Sequence, residues 1–341
     1  MKCLKSLFLI GVTAIGSPAF AQQTMYVAGY GGSFQQEMQA DIIPEFEAKH
    51  NVKIVYVPGI SSEIVAKLQA QKGHEQINVA IADDGPMYQA IHYGDCENLE
   101  SAPVYDDIYD FARFGGGAIG IGLNATGIVY NTEVFKQNGW APPTSWQDLT
   151  DKKFEQGFTT SSISGTYGVD ALVMFARING GSEKNIQPGF DAIREKLVPN
   201  VVSWSSSAAQ IAEMFESGDI DVAVWGSNRA IPLQDSGFPV EFAYPKEGAV
   251  ALVAAACVVI QNSAPELSQA FVQYLVSPEV QAKLATQGFG PTNRKTKLDD
   301  KLAAELPYGS EKIAKLVTLD WPVINQNRAA WTDEWYRTIQ K

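Results

Sequence analysis

The alternation of strand-like and helix-like segments over the first third of the chain leaves few folds open. Runs rich in β-branched and aromatic residues at 24–30, 52–57 and 78–82 read as strands, while 33–49 and 61–73 carry apolar residues at helical spacing. A strand–helix–strand–helix–strand order requires right-handed crossovers, and so a parallel sheet with helices on its faces. The loops that follow the three strands, 29–33, 58–62 and 83–86, then share one edge of that sheet. Ligands of open parallel sheets bind outside the carboxyl ends of the strands, at this edge.

Each loop carries suitable chemistry. Tyr30-Gly-Gly-Ser33 brings an aromatic hydroxyl, two permissive glycines and an aliphatic hydroxyl to a helix start. Ser33 with Gln36 also fits a capping box, so a structural and a ligand-facing role are both open to it. Asp83-Asp84-Gly85 sets two carboxylates side by side after an apolar strand, which is unfavourable without a cation, donor or helix start to compensate. One of the two is expected to cap a helix beginning near Pro86, leaving the other to face an ammonium group. No histidine or further carboxylate stands nearby at ligand spacing, so neither metal nor cofactor is expected.

Residues 1–21 read as a signal peptide: Lys2 and Lys5, an apolar core from Leu7 to Ile15, and Ala19-Phe20-Ala21, the small-x-small pattern of a cleavage site after Ala21. The exported chain is expected to be periplasmic and soluble, since no later segment has the roughly 18 uninterrupted apolar residues of a membrane span. Without Lys2 and Lys5 the 26 Lys and Arg fall to 24 against 38 Asp and Glu, a formal charge of −14. That balance repels nucleic acid and anionic membranes, so neither is an expected partner. Some 320 residues exceed the roughly 250–300 at which one core stops growing, which implies two lobes. An oxidising compartment would permit a bridge between Cys96 and Cys257. The local contexts favour two free thiols instead: Cys257 lies inside the apolar run 250–260 and Cys96 in the polar turn Gly-Asp-Cys-Glu-Asn.

The stretch 127–149 defines a corner. Ile128, Val129 and Tyr130 read as strand, Asn131 or Thr132 can cap a helix over 133–138, and Asn138-Gly139 ends it. Pro142-Pro143 forbids a continuous helix, Thr144 or Ser145 can cap the next one, and Trp146 is an apolar anchor in its first turn. Helices are expected at 166–178, 207–217, 265–276 and 278–287, and a strand at 222–225. The run 250–260 is expected to be a buried strand returning to the first lobe. The segment 309–341 should be amphipathic helix, with Trp321, Trp331, Trp335 and Tyr336 read as core.

The order Tyr-Asn, short helix, Gly, Pro-Pro-Thr-x-Trp-x-x-Leu within 127–149 resembles the extracellular solute-binding proteins of ABC importers, in the group of the spermidine/putrescine receptors. Glu213 to Trp225, Pro245-Lys-Glu-Gly248 and Ala270 to Gln281 running on to Gly290-Pro-Thr-Asn293 extend the resemblance over most of the mature chain. It implies a two-lobe α/β periplasmic binding protein fold, each lobe a mainly parallel sheet flanked by helices and joined by crossover strands. Lobe 1 would comprise 22–125 and 248–300, and lobe 2 126–247 and 301–341, with hinges near 124–126 and 246–250. It also implies a membrane permease as partner and a monomer that closes on a small solute.

In polyamine receptors a cleft tryptophan matching Trp225 lies against the ligand's methylene chain, and a carboxylate near Asp170 pairs with an amine. Tyr167 stands where a second acidic residue would be expected, and after Gly248 this chain has Ala249-Val-Ala-Leu-Val-Ala-Ala-Ala256 in place of a clamping tryptophan and aspartate. A desolvated dication needs paired carboxylates, so this departure argues against a polyamine. Arg229, in the turn Trp225-Gly-Ser227-Asn-Arg229, can hold a carboxylate bidentately. Acidic loops on one lobe facing an arginine on the other suit a zwitterion such as an amino acid or ω-amino acid. The expected site is therefore Tyr30, Ser33, Asp83, Asp84, Tyr167, Asp170, Trp225, Ser227 and Arg229; a polyamine or thiamine-like cation is the alternative ligand. A secreted enzyme is the competing class, but three histidines and no Gly-x-Ser-x-Gly, His-Glu-x-x-His or phosphate-loop motif offer it no catalytic players.

Overall fold

The structure is a computed structural model that describes residues 22–205 and 207–340. The signal peptide expected at 1–21 lies outside them. Nine strands, β1 (Gln23–Gly29), β2 (Val52–Pro58), β3 (Val79–Asp83), β4 (Ile119–Asn131), β5 (Phe158–Ser161), β6 (Val201–Ser205), β7 (Val222–Gly226), β8 (Val240–Ala243) and β9 (Val250–Val258), form a sheet ordered β2-β1-β3-β9-β4-β7-β5-β6, with β8 also on β4. The expected parallel trio is present: β1 pairs in parallel with β2 and β3. A second parallel trio joins β5 to β6 and β7.

Between the trios run two long antiparallel strands, and these divide the core. Ile119, Ile121 and Leu123 of β4 pack with the first core, around Val27, Phe34 and Ile81, whereas Ile128 and Tyr130 pack with the second, around Trp146, Phe175 and Trp335. In β9 the handover runs the other way, with Val250 in the second core and Val253 to Val258 in the first. Thr126 is the junction, paired with Gly226 of β7 on one side and Val250 of β9 on the other. All thirteen residues of β4 are buried, as expected of a strand covered on both faces.

The corner is built much as its residues suggest. Asn131 accepts hydrogen bonds from the Glu133 and Val134 N–H groups, both 3.1 Å, and so caps the helix Thr132–Asn138, which ends at Gly139 in the left-handed region (φ 67°). Ser145 caps a single 3₁₀ turn, Trp146–Thr150. The buried Trp146 indole donates to the Gly248 carbonyl at 2.9 Å, and Ser145 Oγ donates to Glu247 at 2.6 Å. The corner thereby pins the entry into β9.

Three expectations are corrected. Cys96 and Cys257 are bridged, with Cα atoms 5.7 Å apart. Residue 96 pairs with Val259 as an antiparallel bridge, which lays the polar turn against β9 and presents its thiol to Cys257. Ser33 does not cap its helix: Gly32, at φ 70°, takes that place and Ser33 is the first helical residue. The segment 309–341 is two helices, Ser310–Ile313 and Trp321–Thr338, the second capped by Asp320. Trp321, Trp331 and Trp335 are core as expected, but Tyr336 is exposed.

Candidate functional site

A half-open cleft of about 500 Å³ lies over the β4–β9 crossing, with Asn124 and Leu252 in its floor. Carboxyl ends of strands and the helix starts behind them supply the walls. On one wall are Tyr30 after β1, Ile60 and Ser61 at the start of the helix Ser61–Ala70, and Asp83 closing β3. On the other are Ser161 of β5, Thr166 and Tyr167 opening the helix Thr166–Ile178, Ser207 capping the helix Ala208–Ser217, and Asn228 and Arg229 opening the helix Ser227–Asp235. Helix amino termini carry free N–H groups and a partial positive charge, so this geometry favours an anionic group.

Asp83 is the best-held group of the site. Its Oδ1 accepts from the Tyr30 hydroxyl at 2.7 Å and its Oδ2 from Thr166 Oγ1 at 2.5 Å, the latter bond crossing between the walls. Its N–H donates to Ser61 Oγ at 3.0 Å. Tyr30 is fixed in turn by Tyr56, whose hydroxyl donates to the Tyr30 carbonyl at 2.7 Å; a Cβ at residue 29 would lie 2.4 Å from that hydroxyl, so only glycine fits there. Burial first, and then the Asp83 charge, raises the Tyr30 phenol well above its ordinary range, so it stays a donor.

Arg229 approaches from the opposite wall. Its Nη1 donates to Ser33 Oγ at a long 3.5 Å and it hydrogen-bonds the Tyr167 oxygen, while its buried Nε has no partner. Burial pushes Tyr167 up to about 12, and the Arg229 charge partly offsets this. Asn124 Oδ1 and Asn228 Oδ1, on residues that line the cleft, are also buried without partners. Orphaned polar atoms of this kind are uncommon in a finished interior.

Of the residues singled out in the sequence, Tyr30, Asp83, Tyr167 and Arg229 line the cleft together, and Ser33 stands at its edge through Arg229. Four others do not line it. Trp225 is 1% exposed, because strand alternation turns its indole under the helix Ala208–Ser217, where it meets Phe215 at 6.1 Å between ring centroids. Ser227 is buried and accepts from the Ala125 N–H at 3.1 Å, stitching its helix to β4. Asp84 is the first residue of the helix Asp84–His92, not its cap, and is covered by Trp321, whose side chain hydrogen-bonds it. Burial and the Asp83 charge push it up to about 8, against the pull of Trp321 and the N–H groups of Gly85 and Val253. Asp170 is 0% exposed with neither oxygen in a hydrogen bond of normal geometry, and burial raises it well above the carboxylate range.

Residues that sequence reasoning passed over are Ser61, Asn124, Ser161, Thr166, Ser207 and Asn228. For Ser61, Thr166, Ser207 and Asn228 the one legible signal is a hydroxyl or amide at a helix start after a strand; Asn124 lies within β4 and Ser161 ends β5. Among the described residues no group of three or more His, Cys, Asp or Glu is placed to hold a metal ion.

This cleft between two strand-and-helix halves joined by crossing strands is that of a two-lobe periplasmic binding protein. A family model for bacterial extracellular solute-binding proteins matches residues 41–307, and the chain belongs to that family. Among curated relatives it is 22% identical over 303 residues, 84% of each chain, to a Salmonella typhimurium periplasmic protein assigned to 2-aminoethylphosphonate binding. It is also 22% identical over 179 residues to the spermidine/putrescine-binding periplasmic protein of the same organism, covering 52% of this chain and 48% of that one. Matches to other curated relatives span between 32% and 59% of their lengths. Among solved structures the fold superposes on the periplasmic binding protein AfuA from Actinobacillus pleuropneumoniae, bound to fructose-6-phosphate, with a TM-score of 0.78 at 21% identity over 94% of this chain and 98% of that one. Family members and structural neighbours are solute-binding receptors of ABC importers. No helix among the described residues is long and apolar enough to cross a membrane.

Proposed function

We propose that the protein is the periplasmic receptor of an ABC importer for a small zwitterion, whose oxyanion head, a carboxylate or a phosphonate, rests on Arg229. The observation that carries this reading is the pairing of opposites across one cleft: Arg229 with the starts of three long helices on one wall, and Asp83 on the other. A guanidinium with a free buried N–H, aided by helix amino termini, stabilises an anion. Asp83, oriented by Tyr30 and Thr166, takes the ammonium group. The relative assigned to 2-aminoethylphosphonate, itself an amine joined to an anionic head, supports the same class. A polyamine is less well supported, because Trp225 is core and no aromatic residue stands within 249–256.

The lobes, 22–125 with 248–300 and 126–247 with 301–341, close on the solute about the crossing strands, and the monomer delivers it to a membrane permease. No chemistry is done on the solute. A thermal-shift screen of amino acids, ω-amino acids, aminophosphonates, polyamines and thiamine tests this. A ligand at 100 times its Kd adds roughly 2.7 kcal/mol. A zwitterion should raise Tm in the wild type and not in Arg229→Ala. A stabilising polyamine indifferent to that substitution would refute the ligand class, and product formed from any bound solute would refute the receptor role.

A further inference from the structure

Asp84 and Asp170 are buried carboxylates that the cleft does not use, and they belong to opposite lobes. Asp84 opens the helix Asp84–His92 of the first lobe, and Asp170 sits in the second turn of the helix Thr166–Ile178 of the second. The Asp84 charge acts on Asp170 across the contact between the lobes. A Cβ at Gly85 would lie 2.3 Å from the Trp321 ring, and Asn325 Nδ2 donates to the Gly85 carbonyl at 3.0 Å. Trp321 and Asn325 belong to the helix Trp321–Thr338, whose Trp331 and Trp335 are rooted in the second core.

Several charged and titratable groups face this pair. From the first lobe come Asp83, Tyr30 and Tyr88, each coupled to Asp84, and Asp83 and Asp84 both act on Asp170. From the second come Tyr167 and Arg328. Arg328 is the one cation acting on Asp170 there, and its Nη2 is committed to the Ile163 carbonyl at 2.6 Å; burial lowers it to about 10. Arg328 is thus the one guanidinium acting on Asp170, while Asp83 faces Arg229 across the cleft. The Thr126 hydroxyl, beside Asp170, pulls its carboxyl down against the larger push of burial. Asp84 has Trp321 and the Gly85 and Val253 N–H groups beside it, whereas neither Asp170 oxygen has a hydrogen bond of normal geometry, so two ionised carboxylates cost far more here than two carboxylic acids.

We propose that lobe closure takes up protons at the Asp84–Asp170 junction, so that the closed receptor is favoured in acid and opens as pH rises. The inference rests on the lobe-closure reading above but not on the identity of the solute. Opening draws Asp84 away from Asp170 and wets both, returning them toward the ordinary carboxylate range. Closed-state values are raised, that of Asp84 to about 8, so the closed form holds more protons between about pH 4 and pH 8. For each proton taken up, the closed-to-open ratio falls about tenfold per pH unit across that window. The pair titrates jointly, so the response belongs to the junction and not to either residue.

The test needs no ligand. Small-angle scattering of the unliganded protein from pH 5 to pH 8.5 should show a radius of gyration that grows with pH. Asp170→Asn and Asp84→Asn, each removing one titrating group of the pair, should be more compact than the wild type at pH 8.5. If Asp170→Asn does not fold, Asp84→Asn carries the same comparison, since an amide can still accept the Trp321 hydrogen bond. Wild-type profiles that superimpose across the whole range would overturn the proposal, as would variants that open with the wild-type pH dependence.

Discussion

Breaking the Cys96–Cys257 bridge tests the first core in isolation from the cleft. The bridge joins residues 161 positions apart, and a loop of that length gives about 5 kcal/mol of denatured-state entropy in the chain-closure model. Total stabilities run to about 5–15 kcal/mol, so the loss is a large share. Spread over some 320 residues at roughly 2 cal/mol/K of unfolding entropy each, it corresponds to a fall in Tm of about 7 °C. Scanning calorimetry on oxidised protein, fully reduced protein and the Cys96→Ala/Cys257→Ala double variant measures it, with thiol counting to confirm each state. Alanine is the right replacement, because serine at the fully buried position 257 would strand a hydroxyl. Reduced and double-variant proteins should melt together, well below the oxidised form, with ligand affinity unchanged, since neither cysteine lines the cleft. Coincident melting of oxidised and reduced protein would refute the pairing.

Trp146→Ala removes a fully buried indole and its bond to the Gly248 carbonyl, and should cost about 3–5 kcal/mol in a urea titration. Gly85→Ala forces a methyl against Trp321 and should destabilise the protein by about 1–3 kcal/mol, read from the same midpoint shift. Thr166→Val leaves Asp83 without one of its donors across the cleft, and should weaken ligand binding by roughly 5- to 100-fold in calorimetric titration, with a smaller effect on stability. Folding stability should itself depend on Asp84. Its folded value of about 8 exceeds its unfolded value, so the contribution present below about pH 4 is lost as pH rises to about 8. Melting curves of Asp84→Asn should accordingly be flatter with pH than those of the wild type over that interval.

Long elements with strong periodicity were legible in the sequence, and so was their order. The helix Thr166–Ile178 matches its expected bounds, and the Asn131 and Ser145 caps work through the side chains that suggested them. Less legible were strands whose existence depends on their neighbours. Phe158–Ser161 is four residues with three hydroxyls; it is held as β5 by β6 and β7, with Thr159 Oγ1 donating to the Ser203 carbonyl at 2.7 Å. The site divides in the same way. Tyr30, Asp83 and Arg229 follow from their places at strand ends, but burial of Trp225, Asp84 and Asp170 depends on which face a helix from elsewhere covers. The disulfide was hidden for a related reason: no local pattern reports that the turn at Cys96 lies beside β9.

Calorimetric titration of wild type and Arg229→Ala, with 2-aminoethylphosphonate, γ-aminobutyrate and putrescine as probes, meets the central claim most directly. At least one of the two zwitterions should bind the wild type one-to-one. Loss of the Arg229 charge pair should weaken that binding by roughly 10- to 150-fold, the equivalent of about 1.5–3 kcal/mol for a hydrogen bond to a charged group. Tight binding of putrescine, equal in wild type and Arg229→Ala, would contradict the claim.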